Sequence, residues 1–376
     1  MSGAEDREDE RMRGQPQRNS ETGVTRRTFL LNAAVVGAAV ISGHPVSSSG
    51  QNSSAHKGGD GMTRSKVTNT VYDAAVLQTV LHGFSDAQPD SERIRKNIQV
   101  ISDLVRQVIT TSTAQLRLIV LPVLSFTGVG DAQFKFGVKE AFKIEEVAID
   151  LTGDPRLDPI RKLCAEFQCY LASTCVEKVK ELPGRYFHTG FVIGPDGLVL
   201  RSPKLQAATS TGITLLQDFY AEYSKQFGAD ALFPVAETQI GRLGCLVAND
   251  FLVPEASRML RKKGAEIIVH PTAEQEGPKH PPYMALRQSQ AYTNGVYWLS
   301  AAPSRETITT QGKQLEAWYG GGSSIIGPDG AIVAVMKGRE EGHVTVRIDL
   351  KFLRSCRESQ DKHTTPAHKL YRDRYL

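Results

Sequence analysis

The stretch Ile240-Gly241-Arg242-Leu243-Gly244-Cys245-Leu246-Val247-Ala248-Asn249-Asp250 carries the first decision about the fold, together with Pro254-Glu255-Ala256-Ser257-Arg258 and Lys263-Gly264-Ala265-Glu266-Ile267-Ile268-Val269-His270-Pro271. Residues 241–247 form an apolar run of strand length that stops at a short turn. Residues 254–263 are predicted to be a helix, and residues 266–269 a second strand. A strand, a helix and a strand in this order make a crossover unit, whose two strands lie parallel in one sheet.

The same alternation extends outward in both directions. Residues 71–77 and 116–121 are predicted strands. Between them, residues 91–110 place Ile94, Ile98, Ile101, Leu104, Val105 and Val108 three or four apart, the spacing of an amphipathic helix with Asp90 or Ser91 as N-cap. Residues 159–167 are a predicted helix, and 169–174 a strand. Residues 284–294 are a predicted helix and 296–301 a strand. Residues 191–200 and 324–333 each fold about a Pro-Asp-Gly turn into a hairpin, so the sheets are mixed, and residues 344–348 supply a last strand. Strands joined by helices favour a layered α/β domain with both sheet faces covered. With no interior linker, the boundaries fall at 1–66 for a leader and flexible linker, 67–352 for one domain, and 353–376 for a C-terminal tail.

Composition excludes several functions. Of 376 residues, 40% are hydrophobic and 23% charged, with a net charge of +4, and no dense basic stripe with interleaved aromatics suggests nucleic-acid binding. The five cysteines, Cys164, Cys169, Cys175, Cys245 and Cys356, are scattered and odd in number, unlike a disulfide framework. No Cys or His cluster has the spacing of a metal site, so neither metal nor cofactor is expected.

The N-terminus is an address rather than part of the fold. Arg26-Arg27 precedes Thr28-Phe29-Leu30-Leu31, and an apolar run continues to Ile41. That run is shorter than the roughly 20 residues needed to cross a bilayer and has the length of a signal-peptide core. The segment looks like a twin-arginine signal, which implies an exported, periplasmic or extracytoplasmic chain. No small-x-small cleavage site stands out, so an uncleaved membrane anchor is the alternative.

Five segments in order resemble the nitrilase superfamily of carbon–nitrogen hydrolases. These are residues 240–271, the Leu121-Pro122-Val123-Leu124-Ser125-Phe126-Thr127-Gly128 loop, the region of Lys204, the Gly320-Gly321-Gly322-Ser323-Ser324 hairpin, and the stretch from Glu341-Gly342 to Asp349-Leu350. The resemblance covers about residues 70–350. It implies a four-layer αββα sandwich that commonly pairs into a homodimer across one helical layer. It also implies a mechanism in which a cysteine thiolate attacks an amide or nitrile carbon. A glutamate serves as base, a lysine stabilises the developing charge, and a second glutamate positions the partners.

Carried over position by position, the match is uneven. The base position after Pro122 holds Val123, and the nucleophile position two before Asp250 holds Ala248. Lys204 matches the lysine and Glu222 the second glutamate. Two positions before Asn294, usually Arg and Glu, hold Gln290 and Thr293. Valine accepts no proton and alanine forms no thioester, so the family mechanism as normally written should not run.

Three readings follow. The chain is a non-catalytic binding or interaction module; or an active amidohydrolase with a displaced nucleophile such as Cys245; or a structural partner of an active paralogue. Cys245 lies three residues before Ala248, which on a strand reverses the side-chain face, so a buried small hydrophobe is its competing role. Asn249, beside the turn, faces either pocket or solvent, Asp250 ties down the turn, and His188 and His270 are structural. Lys204, having lost a carboxylate at Val123, is expected to pair with Glu222, to lose its proton, or to hold a small carboxylate or amide with help from N–H groups after Ala248.

Overall fold

A computed structural model describes residues 67–130, 143–206, 213–274 and 282–375. The twin-arginine-type segment and the linker up to residue 66 lie outside the described residues.

Two six-stranded sheets carry the fold. The first contains β1 (Val71–Gln78), β3 (Leu116–Val120), β4 (Tyr170–Lys178), β5 (Tyr186–Gly194), β6 (Gly197–Pro203) and β15 (Gly342–Asp349), in the order β15-β1-β3-β4-β5-β6. The second contains β7 (Val235–Thr238), β8 (Gly241–Cys245), β9 (Ile267–Pro271), β10 (Tyr297–Ala301), β13 (Ser324–Ile326) and β14 (Ile332–Val335), in the order β14-β13-β10-β9-β8-β7. In each sheet three consecutive strands are parallel, β1-β3-β4 and β8-β9-β10, and the outer pairings are antiparallel. The crossovers demand the parallel pairs and the Pro-Asp-Gly hairpins the antiparallel ones.

The sheets pack face to face. Ala74, Val76, Leu118 and Val120 of the first meet Leu243, Cys245, Ile267, Val269 and Leu299 of the second in one buried cluster. The alternate residues Ala75, Leu77, Ile119 and Leu171 point outward, under helices α1 (Asp90–Thr111) and α3 (Asp158–Phe167). On the far side Leu246, Ile268 and Trp298 pack under α5 (Pro254–Lys262) and α6 (Tyr283–Asn294). Both faces of each sheet are covered, which is why the central strands are apolar at every position rather than at every second one. The layers are helix, sheet, sheet, helix, as the resemblance implied.

Three features depart from the sequence reading. A third sheet, β12-β11-β2, formed by β2 (Val80–Ser85), β11 (Arg305–Thr310) and β12 (Lys313–Trp318), was not foreseen. Short helices α2 (Ile144–Val147) and α4 (Tyr220–Phe227) were likewise absent from it. The boundary at 352/353 falls inside a packed helix, because α7 (Leu350–Tyr375) buries Leu353 and Arg357 against the second sheet's side of the molecule. Arg357 donates from Nε to the carbonyl of Gly295, 2.7 Å away, and also to the carbonyl of Ala265. No described helix is long and apolar enough to cross a membrane.

Candidate functional site

The parallel strands β8 and β9 end at the same edge of the second sheet, and β8 leaves it into a tight turn. The N–H of Asp250 donates to the carbonyl of Val247 (3.1 Å), closing the turn over Ala248 and Asn249. Ala248 takes φ 47°, a left-handed conformation that crowds a Cβ and costs a non-glycine residue on the order of 1–2 kcal/mol. The turn is therefore a strained one, and the side chain it presents at Ala248 is a methyl group.

His270, in β9, holds the turn from below. Its Nε2 lies 2.9 Å from the carbonyl oxygen of Ala248, which can only accept, so Nε2 carries the proton. Nδ1 then accepts from Ser300 Oγ (2.9 Å), with the indole Nε1 of Trp298 at 3.3 Å. Burial, then the Arg287 guanidinium, push the imidazole well below its ordinary range, while its bond to Ala248 opposes them. His270 is thus a neutral strut.

Lys204 follows β6 and reaches the same turn across the gap between the sheets. Its Nζ donates to the carbonyl of Val247 (3.0 Å) and to Asp250 Oδ1 (3.2 Å). Asp250 also accepts the backbone N–H groups of Leu205 and Gln206, each at 3.0 Å. The partner of Lys204 is thus none of those expected from sequence. Glu222 sits exposed on α4, and the lysine's charge is answered by Asp250, with both side chains buried. Removing either member would leave an uncompensated buried charge.

Val123 lies on the loop that follows β3. It is buried, and its N–H points to the carbonyl of Thr272 just beyond β9 (3.4 Å). The next residue, Leu124, has φ 48°, a second strained position, and donates its N–H to Thr174 Oγ1 at 2.8 Å. Thr174 Oγ1 is in turn 2.8 Å from His188 Nε2. Burial, then the Lys204 ammonium, drive His188 down to about 3, so it too is neutral. From the helix side, Arg93 donates to the carbonyl of Thr127 (3.0 Å) and Asn97 to that of Phe126 (2.8 Å), clamping the loop. These two polar residues on the buried face of α1 were missed in the sequence, although Arg93 and Asn97 beside Ile94 and Ile98 are its visible signal.

Cys245, the alternative nucleophile of the sequence reading, is buried. It is 1% exposed in the cluster between the sheets, and burial, then the Asp250 carboxylate, push its thiol well above the ordinary range. Its side chain lies within the packing of Gly190 and Val247, where a Cβ added at Gly190 would fall 2.5 Å from Sγ. Asn249 is exposed. Gln290 donates to the carbonyl of Phe251, and Asn294 bonds Ser257 Oγ at 2.9 Å, so both serve the seam between α5 and α6. Thr293 is exposed on α6.

A buried pair near the site was also missed. Glu274 accepts from Thr272 Oγ1 (2.9 Å) and from Arg287, whose guanidinium is lowered to about 9 by desolvation and lies 5.7 Å over the Phe251 ring. Among the described residues, no group of three His, Cys, Asp or Glu side chains could hold a metal. The turn after β8 thus has a rigid frame and a lysine already paired with an aspartate.

Comparison with known proteins agrees with this architecture. Residues 75–358 match the model of the carbon-nitrogen hydrolase family. An omega-amidase of Xenopus tropicalis is 28% identical over 218 residues, 57% of this chain and 73% of that protein. The human omega-amidase is 28% identical over 205 residues, 54% and 68% respectively. Among solved structures, a Saccharomyces cerevisiae member of the nitrilase superfamily superposes with a TM-score of 0.58 at 21% identity, over 79% of this chain and 97% of that one. A double mutant of the amidase from Nesterenkonia sp. AN1, in complex with acrylamide, gives 0.54 at 20% identity, over 78% and 97%. With its two facing sheets, its outer helices and a family match across most of its length, this chain belongs to the carbon-nitrogen hydrolase family of the nitrilase superfamily.

Proposed function

We propose that this chain is a non-hydrolysing member of its family that binds a small uncharged amide at the corner formed by Val123, Lys204 and Ala248. The observation that carries the reading is the turn itself. Ala248 keeps the left-handed backbone of a nucleophile position, φ 47°, yet presents a methyl group. Val123, at the position of the base, likewise offers no group that can take a proton. The pairing of Lys204 with Asp250 favours an amide over the carboxylate that sequence alone left open. A lysine whose charge is already answered by a buried aspartate offers little net attraction to an anion, while its remaining N–H and the backbone can still bond a carbonyl oxygen.

Binding and hydrolysis are separated by two assays on the wild-type chain and Cys245→Ser. Ammonia release is measured from primary amides and nitriles, and thermal shift is measured with acrylamide and with acetate as probes. The expected result is no ammonia from either protein, and a rise in Tm with the amide that exceeds the rise with acetate. Ammonia release by the wild type that vanishes in Cys245→Ser would overturn the reading in favour of a displaced nucleophile. Absence of any amide-specific shift would overturn the binding role.

Export and assembly belong to the same proposal. Arg26-Arg27 and the apolar run to Ile41 support passage through the twin-arginine pathway. A pairing across one helical layer would make the molecule a homodimer, as in the family.

A further inference from the structure

Helix α3 ends in a left-handed cap. Gln168 has φ 52° and ψ 46°, and the N–H of Cys169 donates back to the carbonyl of Cys164 at 3.1 Å. A bond of this span around a left-handed residue is the Schellman closure, in which the third residue from the helix end and the second residue beyond it bring their side chains together. An apolar pair usually fills these two places. Here both are cysteines, and both are fully buried between α3, α1 and the outer face of the first sheet.

The site described above uses neither residue. Both pack in the outer cluster of the first sheet, to which Val123 and Leu124 also belong, whereas Ala248 packs against the cluster between the sheets. The remaining cysteines do not compete for the pair. Cys175 lies six residues along β4 from Cys169, about 20 Å at the rise of an extended strand, Cys245 is in the other cluster, and Cys356 is on α7.

We propose that Cys164 and Cys169 form a modification site, an intramolecular disulfide that locks the C-terminal cap of α3 to the start of β4 when a disulfide oxidant is present. The exchange balances as follows. One cysteine, as thiolate, attacks a sulfur of the oxidant, forming a mixed disulfide and releasing one reduced thiol. The second cysteine gives up its proton and attacks the protein sulfur of that mixed disulfide, forming the Sγ–Sγ bond and expelling the second reduced thiol. The chain loses two hydrogens and the oxidant gains them. The short backbone bond between the two residues brings them to the close approach a disulfide requires. The neighbouring Cys169 thiol, then burial, push the Cys164 thiol up, so the exchange proceeds through local opening of the cap or during folding. A reducing compartment keeps the pair as packed thiols, and an oxidising one closes it.

The test uses the full chain. Reduced protein is incubated with oxidised glutathione, both folded and during refolding from urea. It is then denatured, alkylated and cut without reductant by a protease that cleaves after Phe167, between the two cysteines. The expected product is a linked pair of peptides carrying Cys164 and Cys169 that separates on reduction, with Cys175, Cys245 and Cys356 alkylated. In Cys164→Ser, Cys169 should instead appear alkylated or glutathionylated. Alkylation of both Cys164 and Cys169 after refolding in oxidant, stable glutathione adducts in the wild type, or a bridge to any other cysteine would overturn the proposal. None of these outcomes bears on the reading of the Ala248 corner.

Discussion

At the scale of single residues, backbone strain gathers at two positions around the candidate site. Ala248 and Leu124 both keep left-handed backbone, and each is held by a specific bond, from His270 and to Thr174 respectively. These conformations are fixed by the surrounding frame rather than by the side chain itself. Away from this corner, Glu177 is the residue with the clearest pH signature. It is fully buried, 2.7 Å from Arg201 Nε, and burial pushes its carboxyl up to about 7 even though Arg201 opposes the shift. The folded chain therefore binds more protons at this carboxyl than the unfolded chain between about pH 4.5 and 7. Its contribution to stability is full below that window and is lost as pH rises through it, then levels off. His188 and His270, with lowered values, act in the opposite sense. They favour the folded state at higher pH and lose that contribution as pH falls below 6.5. Comparing Glu177→Gln with wild type cancels the histidines. The variant should gain on the wild type by a few kcal/mol from pH 5 to pH 7.5 in urea denaturation. A difference that stays constant with pH would show that Glu177 titrates as an ordinary carboxylate.

At the scale of elements, local chemistry explains both what the sequence disclosed and what it concealed. Helix α1 was legible because its apolar stripe is regular, and the hairpins were legible because Pro-Asp-Gly punctuates them. The third sheet was not. β2 follows β1 after only Thr79, so the two strands merge into one apolar run, and β11 and β12 are too polar to stand out. The turn between them, Gln311 at φ 49° and Gly312 at φ 70°, is the two-residue hairpin form that a Gln-Gly pair only faintly signals. The cap of α3 allows a direct test of such conformational costs. Gln168 is exposed at φ 52°, where glycine carries no Cβ penalty. Gln168→Gly should stabilise the chain by about 0.5–1 kcal/mol, even though it removes the bond from Gln168 Nε2 to the carbonyl of Ala165. A loss of stability in chemical denaturation would show that this bond outweighs the backbone strain.

At the scale of the whole molecule, the C-terminal helix α7 is part of the folded body rather than a tail. Arg357 reaches the carbonyls of Gly295, after α6, and Ala265, before β9, so one side chain ties the ends of two crossovers together. Arg357→Ala leaves two buried carbonyls without a partner and should cost about 2–4 kcal/mol, measured as a lower urea midpoint at unchanged slope. A change under about 0.5 kcal/mol would return α7 to the status of an appendage. The layered α/β order, the crossovers and the apolar identity of Val123 and Ala248 were determined by sequence alone, because periodicity, turn residues and side-chain identity are local properties. Only the tertiary structure decided the partner of Lys204. Asp250 lies 46 positions away and reaches it because β6 and β8 belong to different sheets whose packing brings their ends together. For the same reason the neutral state of His188 and His270 could not be read from the chain. Desolvation and charge depend on what packs nearby in space, and the sequence records only what is nearby along the backbone.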